Sequence, residues 1–146
     1  MKKMKSLLLF CAMFVQTAVF ADVEKPVTFE QLPVAAQQTI KKHFANRQIA
    51  LAKMEIELIG KTYDVIFTNG EKIEFNGKGE WTDIECRQSK VPATLVPAAI
   101  ASFVKKNYPQ ATILKLERDR RTYEVELSNR LELKFDKNFR LIDIDD

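Results

Sequence analysis

Once an apolar leader is set aside, this chain repeats itself, and no other feature constrains its fold as strongly. Residues 32–49 align with residues 96–113 at an offset of 64, and residues 61–85 with residues 121–145 at an offset of 60. Twelve of those 43 paired positions are identical, and most of the others exchange like for like. The shared positions are punctuation and apolar points: Pro33/Pro97, Ala35/Ala99, Ile49/Ile113, Tyr63/Tyr123, Val65/Val125, Asn69/Asn129, Phe75/Phe135, and Asp83-Ile84 with Asp143-Ile144. None of them forms a catalytic constellation. A unit used twice speaks about architecture before it speaks about chemistry.

Each half opens with a helical pattern. In the first, Thr28 with Gln31 reads as a capping box, and Pro33 is tolerated because it falls near the helix start. Ala36, Ile40 and Phe44 then recur at helical spacing, with Lys41 and Lys42 on the wet side. In the second, Thr94 is placed to cap and Pro97 lies in the first turn. Ile100, Phe103, Val104 and Tyr108 repeat the stripe until Pro109 stops it.

After each helix the apolar period changes from 3.6 to 2, the signature of strands. The first half reads Met54-Ile56-Leu58, Tyr63-Val65-Phe67, Ile73-Phe75 and a strand near Trp81 to Glu85. Gly60 punctuates the first connection, Asn69-Gly70 predicts a type I′ hairpin, and Asn76-Gly77-Lys78-Gly79 makes the next turn. The second half reads Ile113 to Glu117, Tyr123-Val125-Leu127, Leu131-Leu133-Phe135 and Phe139 to Ile144, with turns at Asn129 and at residues 136–138. Such connections are too short for parallel crossovers, so each half is expected to be an antiparallel four-stranded meander. The fold class expected is α+β: two tandem helix-plus-four-strand repeats, of residues about 28–86 and 90–146, forming an antiparallel sheet with helices packed on one face. Neither half alone buries a sufficient core, so the two meanders are expected to join into one sheet and one domain spanning residues 22–146.

The leader reads as a secretory signal over residues 1–21. Lys2, Lys3 and Lys5 are its positive region, Leu7 to Phe20 its apolar run, and Val19-Phe20-Ala21 its cleavage site before Asp22. A spanning helix needs roughly 20 apolar residues, so the run is expected to be cut rather than to anchor the chain, leaving no stable membrane insertion. The destination expected is the periplasm or the exterior. Removing those three lysines leaves 20 basic against 20 acidic residues, and with that balance no nucleic-acid partner is expected.

Candidate chemistry is sparse. The mature part carries one cysteine, Cys86, which is expected to be sheltered in the core rather than paired between chains, and one histidine, His43, whose counterpart is Asn107. One Cys and one His do not complete a zinc site. Phosphate-cradling glycine loops and the alternating Asp/Asn spacing of a calcium loop are missing from the sequence. No catalytic residue, metal ligand or cofactor is expected, and the chain is read as a non-enzyme. Trp81 could anchor a partner, but its counterpart Leu141 favours a core position.

What remains is the sheet face that the helices leave open. Alternation places there Glu55, Glu57, Asp64, Ile66, Glu74, Lys115, Glu117, Glu124, Glu126, Glu132 and Lys134. The balancing positive charge is expected on the helix exteriors and in the turn from Arg118 to Arg121. Two readings stay open: a solvated face laced by cross-strand ion pairs, or a surface docking a basic partner.

The run Leu32-Pro33 through Ile40-Lys-Lys-His-Phe44, then Tyr63-Asp-Val65 and Ile73-Glu-Phe75-Asn-Gly-Lys-Gly-Glu-Trp81, resembles the PepSY-like, beta-lactamase-inhibitor-like family of small secreted proteins. Val96-Pro97, Lys105-Lys106-Asn-Tyr108-Pro, Tyr123-Glu-Val125 and Leu133-Lys-Phe135-Asp136 carry the resemblance through the second half. It implies tandem helix-plus-four-strand repeats, export, and no enzyme activity. The namesake inhibitor clasps an enzyme with its open sheet face and hairpin loops. It is disulfide-bonded, whereas this mature chain holds no cysteine pair. The function expected is a secreted binding module for an unidentified protein or peptide of the cell envelope, and the alternative is an inhibitor of a periplasmic hydrolase.

Overall fold

A computed structural model describes residues 23–146; the leader and the expected cut before Asp22 lie outside the described residues. In chain order the elements are β1 (Val23–Pro26), α1 (Val34–His43), β2 (Ile49–Glu57), β3 (Gly60–Phe67), β4 (Lys72–Asn76) and β5 (Trp81–Glu85). They are followed by α2 (Ala98–Asn107), β6 (Ile113–Arg118), β7 (Thr122–Leu127), β8 (Glu132–Asp136) and β9 (Leu141–Asp145). The nine strands form one sheet in sequential order, antiparallel at every step. The fold is α+β. No helix among the described residues is long and apolar enough to cross a membrane.

The register makes one face apolar. Val65 pairs with Ile73, Ile73 with Ile84, Ile84 with Leu116, Leu116 with Val125 and Val125 with Leu133, a row that runs across six strands. All six residues are essentially inaccessible. Burying each such side chain contributes on the order of 2 kcal/mol, so this row is a main source of stability. Both helices lie on that face: the Phe44 ring at the end of α1 stacks on Phe67 at 5.3 Å, and Phe103 of α2 meets Phe135 edge-on at 5.4 Å. Tyr63 and Tyr123 pack against the same core. Trp81 is buried in it, as its pairing with Leu141 suggested, and so is Cys86, whose thiol burial pushes up to about 11.

Several local details differ from the sequence reading. Thr28 and Gln31 do close a turn, the Thr28 N–H donating to Gln31 Oε1 at 2.8 Å, but it is the short 3-10 turn Phe29–Gln31. Pro33 and Pro97 then stand immediately before the α-helices, where their missing N–H costs nothing. Thr94 does not cap α2; its hydroxyl lies 2.7 Å from His43 Nδ1, tying the end of α1 to the segment before α2. Leu58 is not a strand residue. It sits with Ile59 at the tip of the β2–β3 hairpin, 87% and 92% exposed. The strand β1 has no apolar alternation of its own and is held by pairing with β2.

The hairpin at Asn69-Gly70 is not type I′, because only one of its residues has positive φ. Phe67 O accepts the Gly70 N–H, and the Phe67 N–H donates to Glu71 O, both at 2.9 Å, which closes a three-residue loop. The same pattern recurs at Asn76–Glu80, Leu127–Leu131 and Asp136–Arg140. An Asn or Asp side chain in each loop accepts backbone N–H groups further on, as Asn69 does from Glu71 at 3.0 Å. The left-handed position is Gly70 (φ 85°), Gly79 (83°), Arg130 (72°) and Phe139 (61°) in turn. At Gly79 a second constraint applies: a Cβ there would lie 2.7 Å from Pro33 Cβ and 2.9 Å from Ala36 N, so α1 seats directly on the backbone of this turn.

One buried carboxylate locks the loops at the opposite end. Glu71, 2% exposed, accepts the N–H groups of Gln88 at 3.1 Å and Ser89 at 3.0 Å, the Ser89 hydroxyl at 2.9 Å and the Asn69 amide at 2.8 Å. It also pairs with Arg47 from the loop after α1, whose guanidinium lies 5.7 Å from the Phe44 ring centre. The short polar stretch before Pro92 is thereby fastened to the β3–β4 turn.

Candidate functional site: the open sheet face

The alternation that points Val65, Ile73 and Ile84 toward the helices points their neighbours away. Following the register outward from β2, Lys53 faces Asp64, Asp64 faces Glu74, Glu74 faces Asp83, and Asp83 faces Glu117. Glu117 then faces Glu124, Glu124 faces Lys134 and Lys134 faces Asp143. Five carboxylates from five adjacent strands, β3 to β7, therefore stand side by side with a lysine at either end. Strands in a sheet lie about 4.8 Å apart, so these groups repel one another unless cations or protons intervene.

Both intervene. Lys53 Nζ lies 2.9 Å from Glu24 and from Glu55 and 3.7 Å from Asp64. Lys72 bridges Asp64 at 3.7 Å and Glu74 at 2.6 Å, and Lys115 bridges Asp83 at 3.4 Å and Glu117 at 2.5 Å. Lys134 approaches Glu124 at 3.8 Å. The expectation that balancing charge lies away from this face is thus corrected. Lys53, Lys72 and Arg87 stand on it, and Arg87 forks onto Glu126 at 2.6 and 2.8 Å. The reason is the register, which sets Lys72 and Lys115 one row from the carboxylates they serve.

Protons do the rest. Burial, reinforced by a hydrogen bond with Glu117, pushes the Asp83 carboxyl up to about 7. Burial also raises Asp64, and it raises Glu124 against the pull of Lys134. For Glu117 burial works the same way, but hydrogen bonds from Lys115 and Asp83 outweigh it and hold this carboxyl below its ordinary range. The Arg87 fork likewise holds Glu126 low. Around Asp83 and Glu117 the face dips into a depression of about 220 Å³, with Glu74 and Glu124 at its sides and Thr82, Arg118, Asp119 and Thr122 toward the sheet end.

The residues expected on this face divide into groups. Asp64, Glu74, Glu117 and Glu124 form the carboxylate row. Glu126 and Glu132 pair with each other one row away, beside Lys115. Glu55 is engaged by Lys53, and Glu57 lies at the exposed end of β2, opposite Gly60 and away from the depression. Asp83, the central member, was not among the expected residues. The signal that finds it is its alternation with Ile84, which the repeat already marked. Among the described residues no group of His, Cys, Asp and Glu is arranged to hold a metal ion. Cys86 is sealed in the core, His43 is bonded to Thr94, and neither lines the depression.

Residues 61–143 match the family model described as "Putative beta-lactamase-inhibitor-like, PepSY-like". Three solved structures are similar over nearly their full length. A "putative periplasmic protein from DUF2874 family" of Bacteroides vulgatus is 53% identical at a TM-score of 0.84, covering 86% of this chain and 99% of its own. A "putative calcium-regulated periplasmic protein" of Bacteroides thetaiotaomicron is 54% identical at 0.83, covering 84% and 97%. A "putative periplasmic protein of unknown function" of Bacteroides vulgatus is 40% identical at 0.79, covering 86% and 99%. No curated protein matches the chain.

Proposed function

Since this chain belongs to the beta-lactamase-inhibitor-like, PepSY-like family, we propose that it is a non-catalytic binding module of the cell envelope that docks a basic protein or peptide segment on its open sheet face. The observation carrying this reading is the row Asp64, Glu74, Asp83, Glu117 and Glu124, whose central members share few cations and line a shallow depression. An arriving Lys or Arg side chain lets Asp83 release its proton and relieves the repulsion among its neighbours, so charge supplies both attraction and register. The names of the similar structures support a periplasmic site of action, reached by removal of the leader after Ala21. The order α1–β2 to β5, then α2–β6 to β9, supports descent from one duplicated helix-plus-four-strand unit.

The test is a titration with a lysine-rich peptide against an acidic peptide of equal length. Wild type is expected to bind the basic peptide with a salt-dependent affinity, and Glu117→Lys with Glu124→Lys is expected to lose it. Calcium belongs in the titration as a competitor, because the Bacteroides thetaiotaomicron relative is named for calcium regulation. Unchanged binding after both reversals removes the face from the proposal.

The family description favours a second reading, inhibition of an envelope hydrolase. It uses the same face and the hairpin tips against an enzyme rather than a peptide. Slowing of a peptidase or beta-lactamase by the purified protein supports it; a broad hydrolase panel left unaffected sinks it.

A further inference from the structure

Around the end of the sheet from the carboxylate row lies a larger cleft of about 640 Å³, within the ordinary range for ligand sites. Its chemistry is opposite in sign. Arg118 lies flat over Trp81, its guanidinium carbon 3.7 Å from the ring centre, and its Nε donates to Trp81 O at 2.8 Å. Lys137 sits 4.6 Å over the Tyr123 ring. Arg120 lines the same cleft from the β6–β7 turn, and Ile59 reaches it from the β2–β3 tip. Among the described residues none of these three cations has an ion-pair partner, unlike Lys53, Lys72, Lys115 and Arg87 on the open face.

Two carboxylates also line the cleft, and their placement decides its sign. Asp119 is committed to its own turn: its Oδ1 accepts the N–H of Arg121 at 2.7 Å and of Thr122 at 2.8 Å, bonds that hold it below the usual carboxylate range. Glu80 is exposed at the rim. The stacked guanidinium is the best-prepared group. Its Nε is used, its plane is fixed by the indole, and its two terminal nitrogens remain for a planar bidentate acceptor. Apolar surface from Tyr123 and Ile59 beside such a fork suits a carboxylate that arrives next to an apolar side chain.

We propose that this cleft is a second binding site, which takes an acidic peptide by seating a carboxylate on Arg118, with Arg120 and Lys137 flanking it. The site does not depend on the open-face reading. It shares Thr82, Arg118 and Asp119 with the depression, but Arg120, Lys137 and Tyr123 line the cleft alone.

Trp81, the single tryptophan of the chain, reports occupancy directly, because anything that draws on Arg118 alters the stacking over its ring. The experiment titrates an acetylated peptide of alternating leucine and glutamate into the protein and follows tryptophan fluorescence, with a leucine–lysine peptide and inorganic phosphate as separate arms. A saturable change with the acidic peptide is expected, weakened by added salt. Arg118→Gln is expected to weaken binding about tenfold, equivalent to about 1.4 kcal/mol, with its thermal midpoint checked alongside. Arg120→Glu with Lys137→Glu, both exposed turn positions, gives a second loss without touching the stack. Glu117→Lys with Glu124→Lys is expected to retain acidic-peptide binding, which separates failure here from failure of the open face. No saturable change in wild type, an equal response to the basic peptide, or phosphate alone matching the peptide overturns the proposal.

Discussion

Asp83 on β5 faces Glu117 on β6 at the one strand pairing that joins the segment before Arg87 to the segment after it. Two carboxylates thus meet where the sheet is sewn together. Lys115 reaches both, at 3.4 and 2.5 Å, and the remaining repulsion is taken up by a proton on Asp83.

That arrangement predicts a pH dependence with a definite sign. The Asp83 carboxyl, at about 7 in the folded state against an ordinary 3.8, binds its proton more tightly folded than unfolded. Its contribution to stability is present in full below the unfolded value and is lost as pH rises through about 7. Glu117 runs the other way: held below its ordinary 4.5, it contributes above that value and loses the contribution as pH falls. Asp83→Asn removes the first dependence. The thermal midpoint of the variant minus that of wild type is expected to rise between about pH 4 and pH 7 and to level off above that. A flat difference refutes the proton on Asp83.

Glu71 is the most densely hydrogen-bonded carboxylate among the described residues. Replacing it with Gln keeps the size but leaves Arg47 without its ion pair, and four donors converge on a weaker acceptor. Breaking a buried pair in this way costs about 3 kcal/mol. Urea unfolding of Glu71→Gln is expected to show that loss at unchanged slope; a loss within about 0.5 kcal/mol shows the network to be dispensable.

The four like-built turns make a graded set. Gly70→Ala meets open space and costs only the left-handed backbone, about 1 kcal/mol. Gly79→Ala adds a clash with Pro33 and Ala36 and is expected to cost about 3 kcal/mol. Arg130→Gly relieves a left-handed non-glycine residue at an exposed loop and is expected to gain about 1 kcal/mol. Denaturant midpoints order all three, and equal costs for the two alanine variants contradict the seating of α1 on Gly79.

Cys86 offers a probe of opening. In protein starting at Asp22 it is the single thiol, 1% exposed and raised to about 11. It is expected to resist a thiol reagent at pH 8 until the core opens, so its labelling rate follows unfolding rather than reagent access. Prompt labelling of native protein contradicts its burial.

The elements that were legible in the sequence are those whose signal is local. Alternation at Tyr63, Val65 and Phe67, and helical spacing at Ala36, Ile40 and Phe44, locate a strand and a helix because each period is set within a few residues. The open-face carboxylates followed from the same alternation. Asp83 was harder to place beside them, because a register shift next to Trp81 buries both Trp81 and Ile84, three residues apart, and alternation counted from Trp81 sends Asp83 inward. Lys53 and Lys72 alternate with Glu55 and Glu74, but which carboxylates they reach depends on the pairing of β2, β3 and β4.

By itself, the order of residues located both helices and the strands β2 to β9, and within an unbroken strand it set which side chains share a face, because backbone geometry imposes those periods on any sequence. Only the tertiary structure decided that Val23–Pro26 adds a ninth strand, that Glu71 is buried by groups 17 and 18 positions later, and that five carboxylates stand in one row. Those outcomes depend on pairing between distant segments and on the water it removes, and both are properties of the assembled sheet rather than of any local run of residues.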